Sequence, residues 1–489
     1  MSNVNLNKIL GIGIALSKEK DKNKLLELIL NEALSITNCD AGTLYIKNGD
    51  KLKFQIMMTR SMNYSKGGNG EEIDLPPVQI HPKNVCSCAA IEHRLINVPD
   101  VYDTKEYDFS GPGKYDALTG YKTVSMLVLP MEDDFGEVLG VLQLINAMDQ
   151  EGNIISFSKE HEKIIMSLSS QAAICMRNRK YEQEITELLD SFVHVMSTAI
   201  DARSPYNANH TRNMARLGKK FVDYLNQKQD GWKFSKIDER QFLMSIWLHD
   251  IGKLVTPLEI MDKGSRLGER VEEIKHRFEK MEILAELEYF KKRLTKEQLE
   301  QKKKEILADL KYILETDKIS FVDKQCVEKL KIIQGKQYFD QNDQYHPYLT
   351  EEELDYLMIQ KGTLSRKERA IMENHVVMTE KLLKKIRFNK QLEKVIDWAP
   401  NHHEFLDGSG YPNQKMGNEI EPEVRIITIF DIFEALTATD RPYKKPFSIE
   451  EAFVILDEMV EEGKLDGAIL QLFKESEVWI ENEEEGEYL

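Results

Sequence analysis

The sequence predicts an α+β chain. It has an N-terminal domain of antiparallel sheet flanked by helices, a long linker helix, and a C-terminal all-α domain interrupted by a helical insertion. Three observations carry this. Short apolar runs bounded by turn residues fill the first third of the chain. A helical pattern with hardly a breaker follows from 160 to 202, and beyond it apolar residues recur at helical spacing. The expected divisions are 1–180, 181–200 and 201–489, with the insertion at about 264–345.

In chain order, residues 21–38 place Leu25, Leu26, Ile29, Leu30, Ala33 and Leu34 at helical spacing and predict the first helix. Residues 42–47 and 51–58, joined through Asn48-Gly49-Asp50, read as a hairpin with an Asn-Gly turn. Residues 125–130 and 138–146 are two more strands across an acidic turn. In the long helix, Ile164, Leu168 and Ala172, then Ile185, Leu189, Phe192 and Met196, form a stripe. It suits either a parallel dimer, the favoured reading, or docking on the adjacent domain. In the insertion, Val271, Ile274, Phe278, Met281 and Leu284, then Ile306, Leu310 and Ile313, predict two helices folding back as a hairpin. Ser365 and Glu368 form a capping box that opens the helix carrying His375.

The chemistry concentrates in the last part. Trp247 to Lys253 sets His249, Asp250 and Lys253 in an apolar run, and buried charges need a counter-ion or a metal. His210, His375, the pair His402-His403, and Asp431 in the apolar stretch 424–433 occupy similar settings. Five imidazoles and two carboxylates exceed what one tetrahedral zinc needs. Without a thiolate they suit two octahedral first-row ions, iron or manganese, sharing a carboxylate. A pair of such ions clamps the attacking and departing oxygens of a phosphoryl displacement, so the chemistry implied is metal-assisted hydrolysis.

His-Asp-Ile-Gly-Lys at 249–253, His-His-Glu-x-x-Asp-Gly-x-Gly-Tyr-Pro at 402–412 and Asp-Arg-Pro-Tyr-Lys at 440–444 together resemble the HD-GYP family of cyclic di-GMP phosphodiesterases. The resemblance implies one metal on His210, His249, Asp250 and Asp431, and a second on Asp250, His375, His402 and His403. Asp250 is then the shared bridge and a catalytic residue. Lys253, expected on the same helical face as His249, would hold the scissile phosphate or protonate the leaving oxygen. Arg441 and Lys444 match positions that contact the dinucleotide phosphates, and Gly410 and Tyr411 shape the pocket wall. Members with a third metal use a Glu four residues before the first His. Tyr206 stands there, so a binuclear centre is expected. The implied product is pGpG and onward GMP. Cyclic GMP-AMP as substrate, or a non-catalytic dinucleotide- or partner-binding module, are the alternatives. A diguanylate cyclase partner is implied by analogy.

The N-terminal element order resembles a GAF domain, implying regulation by a small-molecule ligand. Residues 119–126 look like members that bind cyclic nucleotides. Those members carry Asn-Lys and Phe-x-x-x-Asp-Glu, whereas this chain has Asn146-Ala147 and Phe157 with His161-Glu162.

A net charge of −17 argues against a partner of nucleic-acid polymer type, which needs a basic face. Five scattered cysteines with no signal peptide point to the reducing cytoplasm. No apolar run approaches the length of a membrane span.

Overall fold

The computed structural model describes residues 11, 13–16, 18–19, 21–204, 209–228, 231–342, 344–438 and 446–480. Tyr206, Arg441, Lys444 and the acidic segment 481–487 lie outside the described residues. The chain divides into two units, Met1–Leu189 and Asp190–Leu489.

The first unit opens with α1 (Lys22–Thr37), capped by the Asp21 carboxylate, which accepts from Lys24 N at 2.8 Å. Asn38 ends it in the left-handed conformation, φ 50°. Strands β1 (Cys39–Asn48) and β2 (Lys51–Thr59) pair as the expected hairpin, Asn48 opposite Lys51, with Gly49 at φ 59° in the turn. There follow β3 (Tyr64–Gly67), β4 (Val78–Gln79), α2 (Val85–Glu92), β5 (Ile96–Val98), α3 (Ser110–Thr119), β6 (Met126–Glu132), β7 (Val138–Met148) and β8 (Ile154–Ile155). The sheet runs β3-β2-β1-β7-β6-β5, with β4 beside β2, β8 beside β7, and every pairing antiparallel.

Successive side chains of β6 point to opposite faces. Leu127 and Leu129 therefore join α1 residues Leu26, Ile29 and Leu30, and residues Ile165, Leu168 and Ala172 of the long helix, in one core. Met126 and Val128 join Tyr45, Val85 and Ala89 in a second core on the other face. Cys86 and Cys88 lie in that second core as small apolar groups, and burial pushes the Cys86 thiol up to about 12.

The long helix is α4 (Lys159–Asp201). In the second unit its end meets α6 (Lys236–Leu248), where His194 stacks on Trp247 with ring centroids 4.2 Å apart and Asp190 pairs with Arg240 at 3.0 Å. Between them in sequence comes α5 (His210–Gln227). The insertion holds α7 (Arg270–Phe290), α8 (Lys296–Lys318), α9 (Lys324–Gln334) and a small hairpin, β9 (Gln337–Phe339) with β10 (Tyr345–Pro347). The sequence expectation of two helices covers only α7 and α8. Leu330 and Ile333 of α9, with Tyr348 and Leu349 after the hairpin, complete the core begun by Ile274, Phe278, Ile306 and Ile313. Arg266, almost wholly buried, donates to the carbonyls of Ile319 (2.6 Å) and Ile359 (2.8 Å), tying both ends of the insertion together.

The chain then forms α10 (Glu351–Leu357), α11 (Arg366–Leu383), α12 (Pro422–Thr437), α13 (Ile449–Glu461) and α14 (Gly467–Ser476). The capping box of Ser365 and Glu368 is present at the start of α11. Phe221 of α5, Phe242 of α6, Phe430 and Phe433 of α12 and Phe473 of α14 make the main core. Phe221 meets Phe430 edge to face at 5.5 Å.

Candidate metal centre

Each candidate ligand owes its place to a helix end or a buried helix face. His210 is the first residue of α5. His249 follows the last residue of α6, and Asp250 caps the short 3-10 turn Ile251–Val255. His375 lies within α11, His402 ends the 3-10 turn Ala399–Asn401, and Asp431 sits midway along α12.

The close approach of the 249–255 turn to α11 requires a glycine. A Cβ on Gly252 would stand 1.9 Å from the His375 carbonyl oxygen and 2.7 Å from Thr379 N. Thr379 fastens the same contact: its hydroxyl donates to His249 O at 2.9 Å and accepts from Gly252 N at 3.0 Å.

The seven side chains converge. His210 Nε2 is 3.2 Å from Asp431 Oδ1, 3.3 Å from His249 Nε2 and 3.9 Å from Asp250 Oδ2. Asp250 Oδ2 lies 3.2 Å from His249 Nε2, while its Oδ1 faces His375 Nε2 at 3.4 Å and His402 Nε2 at 3.9 Å. His403 Nδ1 is 3.6 Å from Asp431 Oδ2. Three overlapping groups have all their donor atoms within 4.8 Å of one another: His210-His249-Asp431, His249-Asp250-His402 and His375-His402-His403. Asp250 thus lies between two clusters, one oxygen toward each.

Backbone carbonyls set the orientation of three imidazoles. His249, His375 and His402 each donate Nδ1–H at 2.7 Å to the carbonyl three residues earlier, that of Ile246, Met372 and Ala399. Each ring then presents a bare Nε2 to the centre. Nε2 of His375 and of His402, and Oδ1 of Asp250, are buried with no hydrogen-bond partner. Orphaned buried acceptors are costly, and a cation among them satisfies all three, so the residues fit a metal centre.

His210 is oriented differently. Its Nδ1 contacts the buried Glu434 carboxylate, which also accepts from Asn213 Nδ2 at 3.1 Å. Sequence reasoning passed over Glu434 and Thr379. The available signals were a second carboxylate three residues after Asp431 on an apolar helix, and a hydroxyl four residues after His375.

The electrostatics differ across the site. For His210 burial opposes the proton, but hydrogen bonds with Asp431 and Glu434 prevail and raise it to about 10. Burial lowers His375, puts His402 well below the usual imidazole range, and takes His403 to about 4. Burial also works against ionised Asp250 and Asp431. The Lys253 ammonium nonetheless holds the first far below the usual carboxylate range, and the hydrogen bond from His210 does so for the second.

Lys253 departs from expectation. Because α6 stops at Leu248, Lys253 stands on the 3-10 turn and meets Asp250 Oδ2 at 2.6 Å instead of continuing a helical face with His249.

The loop after the histidine pair is braced from below. Glu404 accepts from Asn413 N at 2.6 Å and Lys415 N at 2.9 Å. A Cβ on Gly410 would stand 2.4 Å from Phe405 N, so this glycine is packed into the loop. The Tyr411 ring lies 4.8 Å from that of His403. In the first unit, Asn146 accepts from Val124 N and Ser125 N and donates to Lys122 O, shaping one side of a cleft of about 560 Å³ that Arg60, Tyr121 and Lys122 also line.

Comparison with known proteins gives two family matches: a GAF domain at 21–176 and an HD domain at 352–469. The chain carries both. The HD match takes in His375, His402, His403 and Asp431, while His210, His249 and Asp250 precede it. The chain is 37% identical over 111 residues to 3'3'-cGAMP-specific phosphodiesterase 1 of Vibrio cholerae, covering 23% of this chain and 25% of that protein. It is 41% identical over 97 residues to 3'3'-cGAMP-specific phosphodiesterase 3 of the same organism, covering 20% of each. With the cyclic di-GMP phosphodiesterase response regulator RpfG of Xanthomonas campestris it shares 33% over 102 residues, 21% of this chain and 26% of that protein. The chain thus spans about a quarter or less of the length of these relatives.

Proposed function

We propose that this chain, a GAF domain followed by an HD domain, is a metal-dependent phosphodiesterase that opens cyclic di-GMP to pGpG and carries it onward to GMP. The observation that carries the reading is the convergence of seven ligand side chains on two clusters that share Asp250.

One ion would be held by His210, His249, Asp250 and Asp431, and a second by Asp250, His375, His402 and His403. Iron or manganese suits the nitrogen and oxygen donors. When bound, the pair supplies Lewis acidity that lowers the pKa of water and offsets charge on the phosphoryl oxygens. The carbonyl-bound histidines keep the donor atoms aimed, so little reorganisation is left for the chemical step. Lys253, against Asp250, brings a positive charge beside the scissile phosphate and a proton within reach of the leaving 3′ oxygen. Tyr411 and Gly410 form the wall that receives the dinucleotide, and Arg441 and Lys444 contact its phosphates. The loop 408–412 is the reading for a diguanylate cyclase contact.

Cyclic GMP-AMP is the second substrate reading, supported by the names of the two Vibrio relatives. The GAF domain takes a small-molecule ligand that regulates turnover, and the protein works as a homodimer in the cytoplasm. Among the described residues no helix is long and apolar enough to cross a membrane.

The test is anaerobic turnover of cyclic di-GMP and cyclic GMP-AMP in parallel by protein loaded with Mn(II) or Fe(II), with Asp250→Ala as control. Linear product from the parent and none from the control is the expected result. Binding of either dinucleotide without hydrolysis by metal-replete protein overturns the catalytic reading.

A further inference from the structure

One side of the insertion is apolar yet turned away from the insertion's own core. On α7, Ile274, Phe278, Met281 and Ala285 point inward and are buried. Ile283, Leu287 and Phe290 recur at spacings of 4 and 3 on the opposite side of the helix and are exposed by 65%, 40% and 77%. On α8, Ile306 and Ile313 are buried, while Leu307 is 52% exposed. Lys303, Lys304 and Lys311 stand one helical turn to either side of Leu307 and share its face. The Lys303 ammonium contacts the Glu286 carboxylate, and Glu286 follows Ile283 by three residues. That contact sets the two strips on one side of the α7–α8 hairpin.

The same end of the hairpin is basic. Residues 291–304 hold seven lysine or arginine residues against two glutamates, in a chain whose net charge is −17. Arg293 meets Glu288 at 3.4 Å, and Lys291, Lys292, Lys296 and Lys304 are exposed. We infer that this side of the α7–α8 hairpin docks on a bilayer of anionic lipid. Ile283, Leu287, Phe290 and Leu307 enter the boundary between headgroups and acyl chains, and the lysines hold the headgroup phosphates. The hairpin lies along such a surface and does not cross it.

Charge and apolar area together select lipid as the occupant. A basic cluster beside an apolar helix face gains at an anionic surface both from attraction and from burial. A nucleic acid would meet the lysines but leave the aliphatic side chains against water. A second copy of this chain, presenting the same side, would set like charges against one another. The surface is independent of the reaction proposed above, so it stands or falls without it.

The test is co-sedimentation of the full chain with vesicles of phosphatidylglycerol and phosphatidylcholine in equal parts, and with vesicles of phosphatidylcholine alone. The parent should bind the first and not the second, and should lose most of that binding between about 0.05 M and about 0.5 M salt. Each lysine near an anionic surface is worth about five-fold in affinity, so the combined variant Lys291→Ala, Lys296→Ala, Lys304→Ala should bind about 100-fold more weakly. The combined variant Lys381→Ala, Lys385→Ala, Lys390→Ala removes the same charge from exposed positions outside the insertion and should bind nearly as the parent does. Phe290→Ala should lose about 10-fold. The fluorescence that Phe290→Trp adds to the parent's should shift to the blue on binding and be quenched by brominated lipid chains. No binding by the folded parent at low salt, equal losses in the two lysine variants, or an unquenched added Trp in vesicle-bound protein overturns the surface. Displacement of vesicles by polyglutamate with Phe290→Ala binding as the parent does assigns the basic strip to an acidic protein and overturns it as well.

Discussion

Replacing Glu434 by alanine should weaken one metal and spare the other. Glu434 is buried, contacts His210 Nδ1 and accepts from Asn213, so it is the only group among those described that orients the His210 ring through its outer nitrogen. The other buried rings lean on backbone carbonyls, which no side-chain substitution removes. Loss of such an outer-shell partner costs about 10- to 100-fold in metal affinity, or roughly 1.4–2.7 kcal/mol. Two Mn(II) affinities, resolved by competition with a chelator, would read this out. The expected pattern for Glu434→Ala is a loss of that size for the ion assigned to His210 and no change for the one assigned to His375, His402 and His403. Glu434→Gln, which keeps an acceptor but not the charge, should fall between the variant and the parent. Unchanged affinities at both sites in a folded variant would refute the claim that Glu434 positions His210, and equal losses at both would refute the division into two clusters.

Three further outcomes follow from the same geometry. Gly252→Ala drives a methyl group into the backbone of α11, so it should cost at least about 1–3 kcal/mol in urea unfolding and also lower metal content; a variant as stable as the parent would contradict the packing. Lys253→Met should lower kcat by about 100-fold or more at saturating substrate, and a change confined to KM would assign Lys253 to binding alone. The buried Glu353 carboxylate is opposed by burial, yet the two hydrogen bonds from Arg277 hold it below the usual range. Its folded pKa is thus below the unfolded value of about 4.3, so its stabilisation is present above that pH and is lost as pH falls through the folded value. Exchange protection of α7 amides, corrected for intrinsic rate, should drop below pH 4 in the parent and depend less on pH in Glu353→Gln.

Local pattern carried the elements that local physics decides. The Asn-Gly turn between β1 and β2, the capping box at Ser365 and the apolar surroundings of His249-Asp250 and Asp431 need only a few neighbouring residues to be read. The residues that escaped depend on distant packing. Glu434 looks like a surface acid until α12 is seen to be covered on the side that faces α5. Helix α9 is short and amphipathic, and it matters only because the insertion core is incomplete without Leu330 and Ile333.

The unequal anchoring of the histidines has a consequence for proton traffic. Held between two carboxylates, His210 carries a proton throughout the neutral range, whereas burial leaves His375, His402 and His403 without one. Loading a cation at His210 must therefore expel a proton, and loading at the three-histidine cluster need not. Affinity at the first position should climb with pH while the second stays nearly level near neutrality. Calorimetric titrations in two buffers of different ionisation enthalpy would separate the steps by the heat of the released proton. The chain would then fill its two positions in an order set by the acidity of its surroundings.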